Sequence, residues 1–327
     1  MLGEYAVLEG APALVMAVDR RARVTLTDNP DGGYVIDAPS LGIRGARCRL
    51  GGGRAEWVDL KAADADKLQL AGAVIAALAG GGVLPPFRAT LDTGAFFTDG
   101  GVNKLGLGSS AALTVALAGA VCALRGEPMP EAAVLIDIHR QIQAGRGSGL
   151  DIAASLQGGV IDYRLDDGRP RIEPVKLPAG LEIACVWSGQ SASTGAFLAR
   201  VAAWRERAPA DYAALLGRLS DGAAAGVAAA RDDDAATLLD AAQAYAAGLA
   251  ELGRASGAGI ITPEHVKIAD VAASCGVTYK TCGAGGGDIG IALATDPDRL
   301  ARFRRQLAEH HFRTLDLARD AFGVRAD

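Results

Sequence analysis

The sequence lacks the features that mark membrane proteins and nucleic-acid-binding proteins. No apolar run reaches the roughly 18 to 20 residues that span a bilayer, and the longest candidate, 111–124, is typical of a core helix. Positive charge is also scarce. The net charge of −5 argues against a nucleic-acid partner, because such proteins normally present a basic face. We therefore expect neither a membrane nor a nucleic acid as partner.

Clustered cysteines are missing as well. The five cysteines are widely spaced, without a CxxC pair or a Cys/His cluster. This spacing is typical of small core residues in a reducing compartment, and it excludes a disulfide framework and a structural zinc site. No charged segment followed by a short apolar run opens the chain, so we expect a cytoplasmic protein.

The chain has enough apolar material for substantial cores. Half of its 327 residues are hydrophobic and 22% are charged. This length suits two domains better than one. We place the boundary near residue 178, because the sequence becomes helix-rich over 197–254. The predicted domains are 1–178 and 179–327. The oligomeric state stays open, a homodimer included.

Hydrophobic periodicity, glycines and prolines predict a mixed set of elements. Strands are predicted at 13–18, 21–27, 32–40, 87–93, 159–165 and 181–189, with a strand–loop–strand unit at 276–294. Helices are predicted at 61–78, 109–125 and 130–143, after 149, two or three times within 197–254, and at 263–275 and 297–310.

The first candidate site is the stretch GLGSSAALTVALAGAV, Gly106–Val121, where a Gly-Ser loop runs into an apolar helix. Backbone N–H groups at a helix start lack intrahelical partners, and the helix dipole adds positive potential there. Glycines let the backbone approach an anion closely. A serine-capped turn and a phosphate site are both compatible with this pattern.

Two familiar nucleotide motifs do not describe this Gly-Ser loop. No Lys-Ser/Thr follows its glycines, so it is not a Walker A sequence. Gly106, Gly108 and Ala111 match G-x-G-x-x-A, but the preceding TDGGVNK is polar where a dinucleotide fingerprint needs an apolar strand. If the loop is a phosphate site, the residues placed to form it are Gly106, Leu107, Gly108, Ser109, Ser110 and Ala111. The hydroxyl of Ser110 is also a candidate Mg²⁺ ligand.

A glycine-rich loop follows near the C-terminus. CGAGGGDIG, Cys282–Gly290, has five glycines in nine residues, which is more than a two-residue hairpin turn needs. Close approach of the backbone to a ligand is the alternative explanation. Lys280 lies just before the loop and could pair with a phosphate as a point charge.

A third loop, GRGSGLDIAAS, places Asp151 at the start of a helix. Helix chemistry alone favours an N-cap for this acid. Beside two phosphate-type loops, Asp151 becomes the best general-base candidate, because a kinase needs a carboxylate near the attacking oxygen. His139, on the preceding helix, is expected to be a hydrogen-bonding residue and not a base.

These loops together resemble the signature motifs of the GHMP kinases. The matching stretches are GEYAVLEGAPALVMAV, KLGLGSSAALTVA and KTCGAGGGDIGIAL. The resemblance implies a two-domain α+β fold, with a ribosomal-protein-S5-like N-terminal domain, a ferredoxin-like C-terminal domain and an active site in the cleft between them. Within the family, GEYAVLEG, GSGLDIAAS, WSGQSAST and GAGGGDIGIAL look like the phosphomevalonate kinases.

The resemblance also implies roles for individual residues. The nucleotide is ATP, with its phosphates on Gly106–Ala111 and Mg²⁺ near Ser110. Asp151 and Lys104 are the implied catalytic residues, and phosphomevalonate is the implied substrate. Residues expected to line the acceptor site are Ser148, Gly149, Ser191, Ser193, Thr194, Lys280, Gly283, Ala284, Gly285, Gly286 and Asp288. Lys104, Arg146 and Lys280 are candidates to offset the repulsion between two polyanions.

Two departures from the family pattern keep alternatives open. Family members usually carry a catalytic lysine on a strand of the GKLxLxGEY kind, whereas this sequence opens with Met-Leu-Gly-Glu-Tyr. We expect a start site further upstream, with a truncated chain and an inactive family member as alternatives. The acidic Mg²⁺ ligand of mevalonate kinases is replaced by the HRQIQAG stretch, which favours phosphomevalonate kinase. Mevalonate kinase, diphosphomevalonate decarboxylase and a nucleotide- or metabolite-binding sensor remain the other candidates.

Overall fold

Strands and helices alternate along the chain in the computed structural model, which describes residues 1–80, 82–98, 101, 103–143, 145, 147–191 and 194–326, with backbone only for Thr194 and Ala196. The strands are β1 (Ala13–Met16), β2 (Arg23–Asp28), β3 (Tyr34–Ala38), β4 (Ile43–Gly51), β5 (Arg54–Val58), β6 (Phe87–Asp92), β7 (Val160–Asp166), β8 (Arg169–Val175), β9 (Glu182–Trp187), β10 (Thr278–Thr281), β11 (Ile289–Ala294) and β12 (Arg313–Leu315). The helices are α1 (Ala62–Lys67), α2 (Gln69–Ala79), α3 (Ser109–Arg125), α4 (Ala132–Ile142), α5 (Leu150–Gln157), α6 (Thr194–Arg207), α7 (Pro209–Arg231), α8 (Ala235–Ser256), α9 (Pro263–Ser274) and α10 (Pro297–Glu309).

The chain forms two compact units that interleave in sequence. Unit 1 comprises Met1–Asp19, Asn103–Leu107 and Gly159–Ala321, and unit 2 comprises Arg20–Val102, Gly108–Gly158 and Phe322–Asp327. These units do not follow the predicted boundary near residue 178. The reason is strand pairing: β1 pairs with β7 and β7 with β8, and Leu14 and Val160 of this sheet share one apolar core with helices α7 and α8.

Unit 2 is built on one sheet. Its strand order is β2-β6-β3-β4-β5, with β3 and β6 parallel and the other neighbours antiparallel. On β6 the buried residues Phe87, Ala89 and Leu91 alternate with exposed or partly exposed residues. This is the period-2 pattern of a strand with one buried face. Helices α2, α3 and α4 contribute to the same core, and the small, apolar residues of α3 let it lie inside that core.

Unit 1 contains the sheets β1-β7-β8 and β10-β11-β9-β12. Strand β11 is buried along its whole length. Ile291 and Leu293 face the core formed with α7 and α8, while Ala292 and Ala294 face the core formed with α9 and α10. Both faces of this strand are therefore covered, which explains its continuous apolar sequence.

The predicted α+β class is confirmed, and most predicted elements are present. The predicted helix at 61–78 divides into α1 and α2 around Leu68. Strand β8 was not predicted, because Pro170 and Pro174 argue against a central strand. It lies at the edge of its sheet, paired with β7, where proline is tolerated. Within the described ranges, no helix combines the length and apolarity that crossing a bilayer requires.

Two phenylalanines of unit 2, one buried and one exposed, test the assignment of its core. Phe87 is completely buried and packs against Tyr34 with ring centroids 5.1 Å apart, so Phe87→Ala is expected to cost about 3–5 kcal/mol of unfolding free energy. Phe322 is 66% exposed, and Phe322→Ala should change it by less than about 1 kcal/mol. Urea unfolding of both variants measures the difference, and equal losses would contradict the assigned core.

Candidate active site

The Gly-Ser loop ends at an uncapped helix N-terminus. Gly108 is the N-cap of α3, has a left-handed φ of 73°, and provides no side-chain cap. In the described part of the chain, the backbone N–H groups of Ser109, Ser110 and Ala111 have no acceptor, and Ala112 is the first to bond back, to the Gly108 carbonyl. The capped-turn interpretation therefore fails, and this 17-residue helix presents free donors that suit an anion.

The hydroxyl of Ser110 has a specific partner. Nε2 of His139, on α4, lies 3.0 Å from Oγ of Ser110. His139 is buried, and burial lowers its pKa more than the negative charge of Asp151 raises it. The imidazole is therefore neutral at neutral pH and orients the serine by a hydrogen bond, as the sequence predicts for His139.

Asp151 is not the N-cap of its helix. That position belongs to Gly149, which has a φ of 80° and offers no side-chain cap. Asp151 is the second residue of α5, and its Oδ1 accepts a hydrogen bond from the N–H of Ile152 at 3.0 Å. A methyl group on Gly108 would lie 3.5 Å from Cβ of Asp151, so this carboxylate borders the start of α3 within unit 2.

The residues just before Asp151 form a tight turn. A methyl group on Gly149 would lie 2.5 Å from Ile136 of α4, so only glycine fits there. Oγ of Ser148 accepts from the N–H of Leu150 at 3.5 Å. Arg146, the neighbouring candidate cation, lies outside the described residues.

The beginning of the Gly-Ser loop, Asn103–Leu107, belongs to unit 1. Lys104 is exposed, and its carbonyl accepts a hydrogen bond from the Ser191 hydroxyl at 2.9 Å. Gly106 has a φ of 73°, and a methyl group on it would overlap the Asp288 side chain. Two stretches that sequence analysis singled out separately are thus in contact inside unit 1.

The central part of the glycine-rich loop, Gly283–Asp288, is held by hydrogen bonds to its backbone carbonyl oxygens. The Tyr5 hydroxyl donates to the Ala284 carbonyl at 2.6 Å, and Nε2 of His265 lies 2.9 Å from the Gly287 carbonyl. That carbonyl can only accept, so Nε2 carries the proton, and Nδ1 accepts from the Tyr279 hydroxyl at 2.7 Å. Burial lowers the pKa of His265, which favours this neutral form.

The backbone of the same loop packs closely against Ile260 and Phe197. A methyl group on Gly285 would overlap the Ile260 carbonyl, and one on Gly286 would overlap the Phe197 ring. The N–H of Gly286 donates to Ile260 at 2.8 Å, and that of Asp288 to the Gln190 carbonyl at 2.7 Å. Glycine is required here because the backbone itself contacts its neighbours.

Several N–H groups of the loop remain available. Gly285 and Gly287 are buried, and neither N–H has an acceptor among the described residues. The same holds for Gly283 and Ala284 within that part of the chain. Buried backbone donors are normally paired, and consecutive N–H groups with left-handed glycines form anion-binding concavities. The loop is therefore a preformed candidate anion site.

Lys280 requires a correction, because it does not reach outward as a point charge. Its side chain is fully buried on β10, and Nζ donates to Oε1 of Glu4 at 2.6 Å and to the Thr281 carbonyl. The ammonium also lies 5.8 Å from the ring centroid of Tyr245. Its charge is already paired inside unit 1, so Lys104 is the more accessible lysine for a bound anion.

Ser193 and Thr194 are the remaining residues predicted for the acceptor site. Ser193 lies outside the described residues. Thr194 begins α6. The sequence marked Tyr5 only as a point of resemblance to the phosphomevalonate kinases, and it did not single out Glu4, although both lie in the GEYAVLEG motif. The sequence did not indicate a role for His265, because this residue lies in an ordinary helix pattern opened by Thr262 and Pro263. Only the tertiary structure places its ring against the glycine-rich loop.

The buried Glu4–Lys280 pair predicts a stability effect. Lys280→Met leaves the Glu4 carboxylate buried without its cation, which is expected to cost about 3–5 kcal/mol of unfolding free energy. Lys67→Met, at a lysine that pairs with Asp64 on the surface, should cost less than about 1 kcal/mol. Chemical denaturation measures both. The double variant Glu4→Gln/Lys280→Met should recover most of the loss, and a fully stable single variant would contradict the pairing.

Comparison with known proteins gives the family of the chain. The family model described as GHMP kinases N terminal domain matches residues 70–159, and that described as GHMP kinases C terminal matches residues 227–313. Phosphomevalonate kinase of Streptomyces sp. strain CL190 is 32% identical over 324 residues, covering 89% of this chain and 86% of that protein. Mevalonate kinase of Aeropyrum pernix is 32% identical over 178 residues, covering 53% of this chain and 50% of that protein.

Solved structures share the fold. Streptococcus pneumoniae phosphomevalonate kinase, in complex with phosphomevalonate and AMPPNP, superposes with a TM-score of 0.78 at 19% identity. The match covers 97% of this chain and 96% of that one. With an uncapped α3 and a glycine-rich loop in the positions of the family motifs, the chain belongs to the GHMP kinase family and is a small-molecule kinase related to the enzymes of the mevalonate pathway.

Proposed function

We propose that this protein transfers the γ-phosphoryl group of ATP to the phosphate of (R)-5-phosphomevalonate, giving 5-diphosphomevalonate and ADP. The observation that carries the proposal is the glycine-rich loop, in which the N–H groups of Gly285 and Gly287 have no acceptor among the described residues. The similarity to a phosphomevalonate kinase over 89% of the chain supports it.

The glycine-rich loop favours a phosphorylated acceptor over an alcohol. Mevalonate presents a neutral hydroxyl at its reacting end, which needs few donors. Phosphomevalonate presents a phosphate with up to two negative charges, and fixed backbone N–H groups form charge-assisted bonds to such a group. Within the described part of the chain the N–H groups of Gly285 and Gly287 have no acceptor. A phosphate ligand would account for these donors, whereas an alcohol would not.

The N-terminus of α3 is the proposed site for the ATP phosphates. The N–H groups of Ser109–Ala111, which have no acceptor among the described residues, and the helix dipole would stabilise negative charge without further change in structure. Gly108, with its left-handed backbone, lets the chain turn into the helix without a side chain in the way. Lys104, exposed on the preceding segment, is the proposed cation for charge that develops during transfer.

Magnesium fits this arrangement only as a companion of the nucleotide. In the described ranges, no group of three or more His, Cys, Asp or Glu side chains could hold a metal. The exposed Ser110 hydroxyl and the Asp151 carboxylate are oxygen donors of the kind Mg²⁺ takes beside substrate phosphates. These two residues would hold the ion, which would neutralise phosphate charge when bound.

Asp151 is the proposed residue beside the acceptor oxygen. A phosphate monoester has a second pKa of about 6, so the attacking oxygen is already largely deprotonated at neutral pH. The carboxylate would accept the proton of an acceptor that binds as the monoanion. The N–H groups of the glycine-rich loop would hold the phosphate oxygens in either protonation state. Most of the acceleration would then come from positioning and from fixed positive potential.

A coupled ADP-release assay tests the substrate. The wild-type chain is expected to release ADP with phosphomevalonate and ATP, and little with mevalonate and ATP, because only the former occupies the anion site. Phosphorus NMR of the product should show a diphosphate monoester. Turnover with mevalonate alone would overturn the proposal in favour of a mevalonate kinase. Turnover with neither would favour a binding protein.

The role of Asp151 is tested by Asp151→Asn. This variant should bind ATP normally when Mg²⁺ is left out. It should lose about 100-fold or more of kcat, because it lacks both the carboxylate beside the acceptor and one of the two oxygen ligands proposed for the ion. Asp137→Asn is the matched control, since Asp137 is an exposed carboxylate of α4 and should leave kcat unchanged. Full activity of Asp151→Asn would leave Asp151 with only its local hydrogen bond to Ile152.

A further inference from the structure

Tyr5 has an unusual backbone for a bulky residue. Its φ is 63°, in the left-handed region that normally favours glycine. The residue is nonetheless buried, and Ala6 turns back at once to bond the Glu4 carbonyl at 2.7 Å. Such backbone conformations persist where surrounding contacts fix them, and they cluster at functional sites.

The hydroxyl of Tyr5 forms a hydrogen bond to a distant part of the chain. It donates to the Ala284 carbonyl at 2.6 Å, joining residues 279 positions apart. Burial and the negative charge of Glu4 raise the pKa of the Tyr5 phenol far above its usual value. The phenol therefore stays protonated, and it is always the donor in this bond.

This bond fixes a particular N–H group. The Ala284 carbonyl and the Gly285 N–H belong to one planar trans peptide, so they point in opposite directions. Tyr5 holds the carbonyl, and the Gly285 N–H therefore points away from Tyr5. It is one of the donors that find no acceptor within the described part of the chain. A peptide beside glycine reorients easily when nothing holds it, and Tyr5 prevents this.

The neighbouring peptides of the loop are held by other groups. Ile260 accepts from the Gly286 N–H, and His265 donates to the Gly287 carbonyl. Neither bond involves the peptide between Ala284 and Gly285. The Tyr5 hydroxyl therefore has a role in the loop that these other contacts do not duplicate.

We propose that Tyr5 is a positioning residue for acceptor specificity, which holds the Gly285 N–H in place for the phosphate of a phosphorylated acceptor. This inference rests on the proposed function, because it needs an acceptor that carries a phosphate. It goes further by assigning the preference for that acceptor to a residue which does not touch it. The N–H groups proposed for the nucleotide lie at the start of α3 in unit 2, whereas this peptide lies in unit 1, so we expect ATP binding to be unaffected by it.

Tyr5→Phe tests the inference, because it deletes the hydroxyl and keeps the ring. The KM for phosphomevalonate should rise roughly tenfold, the effect of one misaligned bond to a charged group. The KM for ATP should stay within about twofold. Calorimetric titration of phosphomevalonate without nucleotide should show the same weakening, which separates positioning of the acceptor from effects on chemistry.

Tyr212→Phe is the matched control. The Tyr212 hydroxyl donates to Oε1 of Glu9 at 2.9 Å in the same unit, so this variant also loses one phenol hydrogen bond. Both KM values should stay unchanged, and both variants should melt within a few degrees of the wild type.

The outcomes separate the inference from the proposed function. If the wild type phosphorylates phosphomevalonate but Tyr5→Phe leaves its KM unchanged, the role of Tyr5 is refuted and the function stands. Equal increases in both KM values would show a general structural effect and would also refute it. If the wild type does not act on phosphomevalonate, the proposed function fails and the specificity role of Tyr5 fails with it.

Discussion

The buried ion pair between Glu4 and Lys280 is the interaction on which the organisation of unit 1 depends. It joins the N-terminal GEY segment to strand β10, across 276 positions of sequence. Such a pair adds little stability compared with apolar packing of the same volume, yet breaking it is costly because one charge is left buried. The Tyr245 hydroxyl adds a bond to the Glu4 carbonyl at 2.7 Å. Together these contacts hold the segment in one place, and from there Tyr5 reaches the glycine-rich loop.

The candidate site uses backbone donors more than charged side chains. Lys280, just before the glycine-rich loop, is paired with Glu4, so the loop offers an anion its backbone N–H groups. The N-terminus of α3, in unit 2, also offers backbone N–H groups, and Lys104 is the accessible lysine. Fixed dipoles need no reorganisation when negative charge shifts during phosphoryl transfer. The close packing of Gly285 against Ile260 and of Gly286 against Phe197 limits movement of the loop, and the Tyr5 hydroxyl holds the peptide between Ala284 and Gly285. Phosphoryl transfer suits such a site, since it needs positioning and charge stabilisation more than covalent participation.

Much of this site could be predicted from the sequence because its signals are local. The helix start at Ser109 follows from glycines before an apolar run, and the start of α9 follows from Thr262 and Pro263, where the threonine accepts from the N–H of His265. The strand–loop–strand unit around the glycine-rich loop follows from composition alone. Edge strand β8 was missed because its prolines look the same whether a strand is central or peripheral. The N-cap that helix chemistry alone favours for Asp151 is instead Gly149, which has no side chain that could mark the position in the sequence. The catalytic role assigned to Asp151 stays a prediction.

The sequence by itself determined where the glycine loops and the helices lie and which family the chain belongs to. Those properties depend on residues within a few positions of one another, through turn chemistry, periodicity and helix ends. The tertiary structure alone decided that Lys280 faces Glu4 and not a ligand, that His139 contacts Ser110, and that Tyr5 and His265 hold the glycine-rich loop. Each of these contacts joins distant parts of the chain. Their geometry follows from the pairing of strands and the packing of cores, which no local pattern specifies.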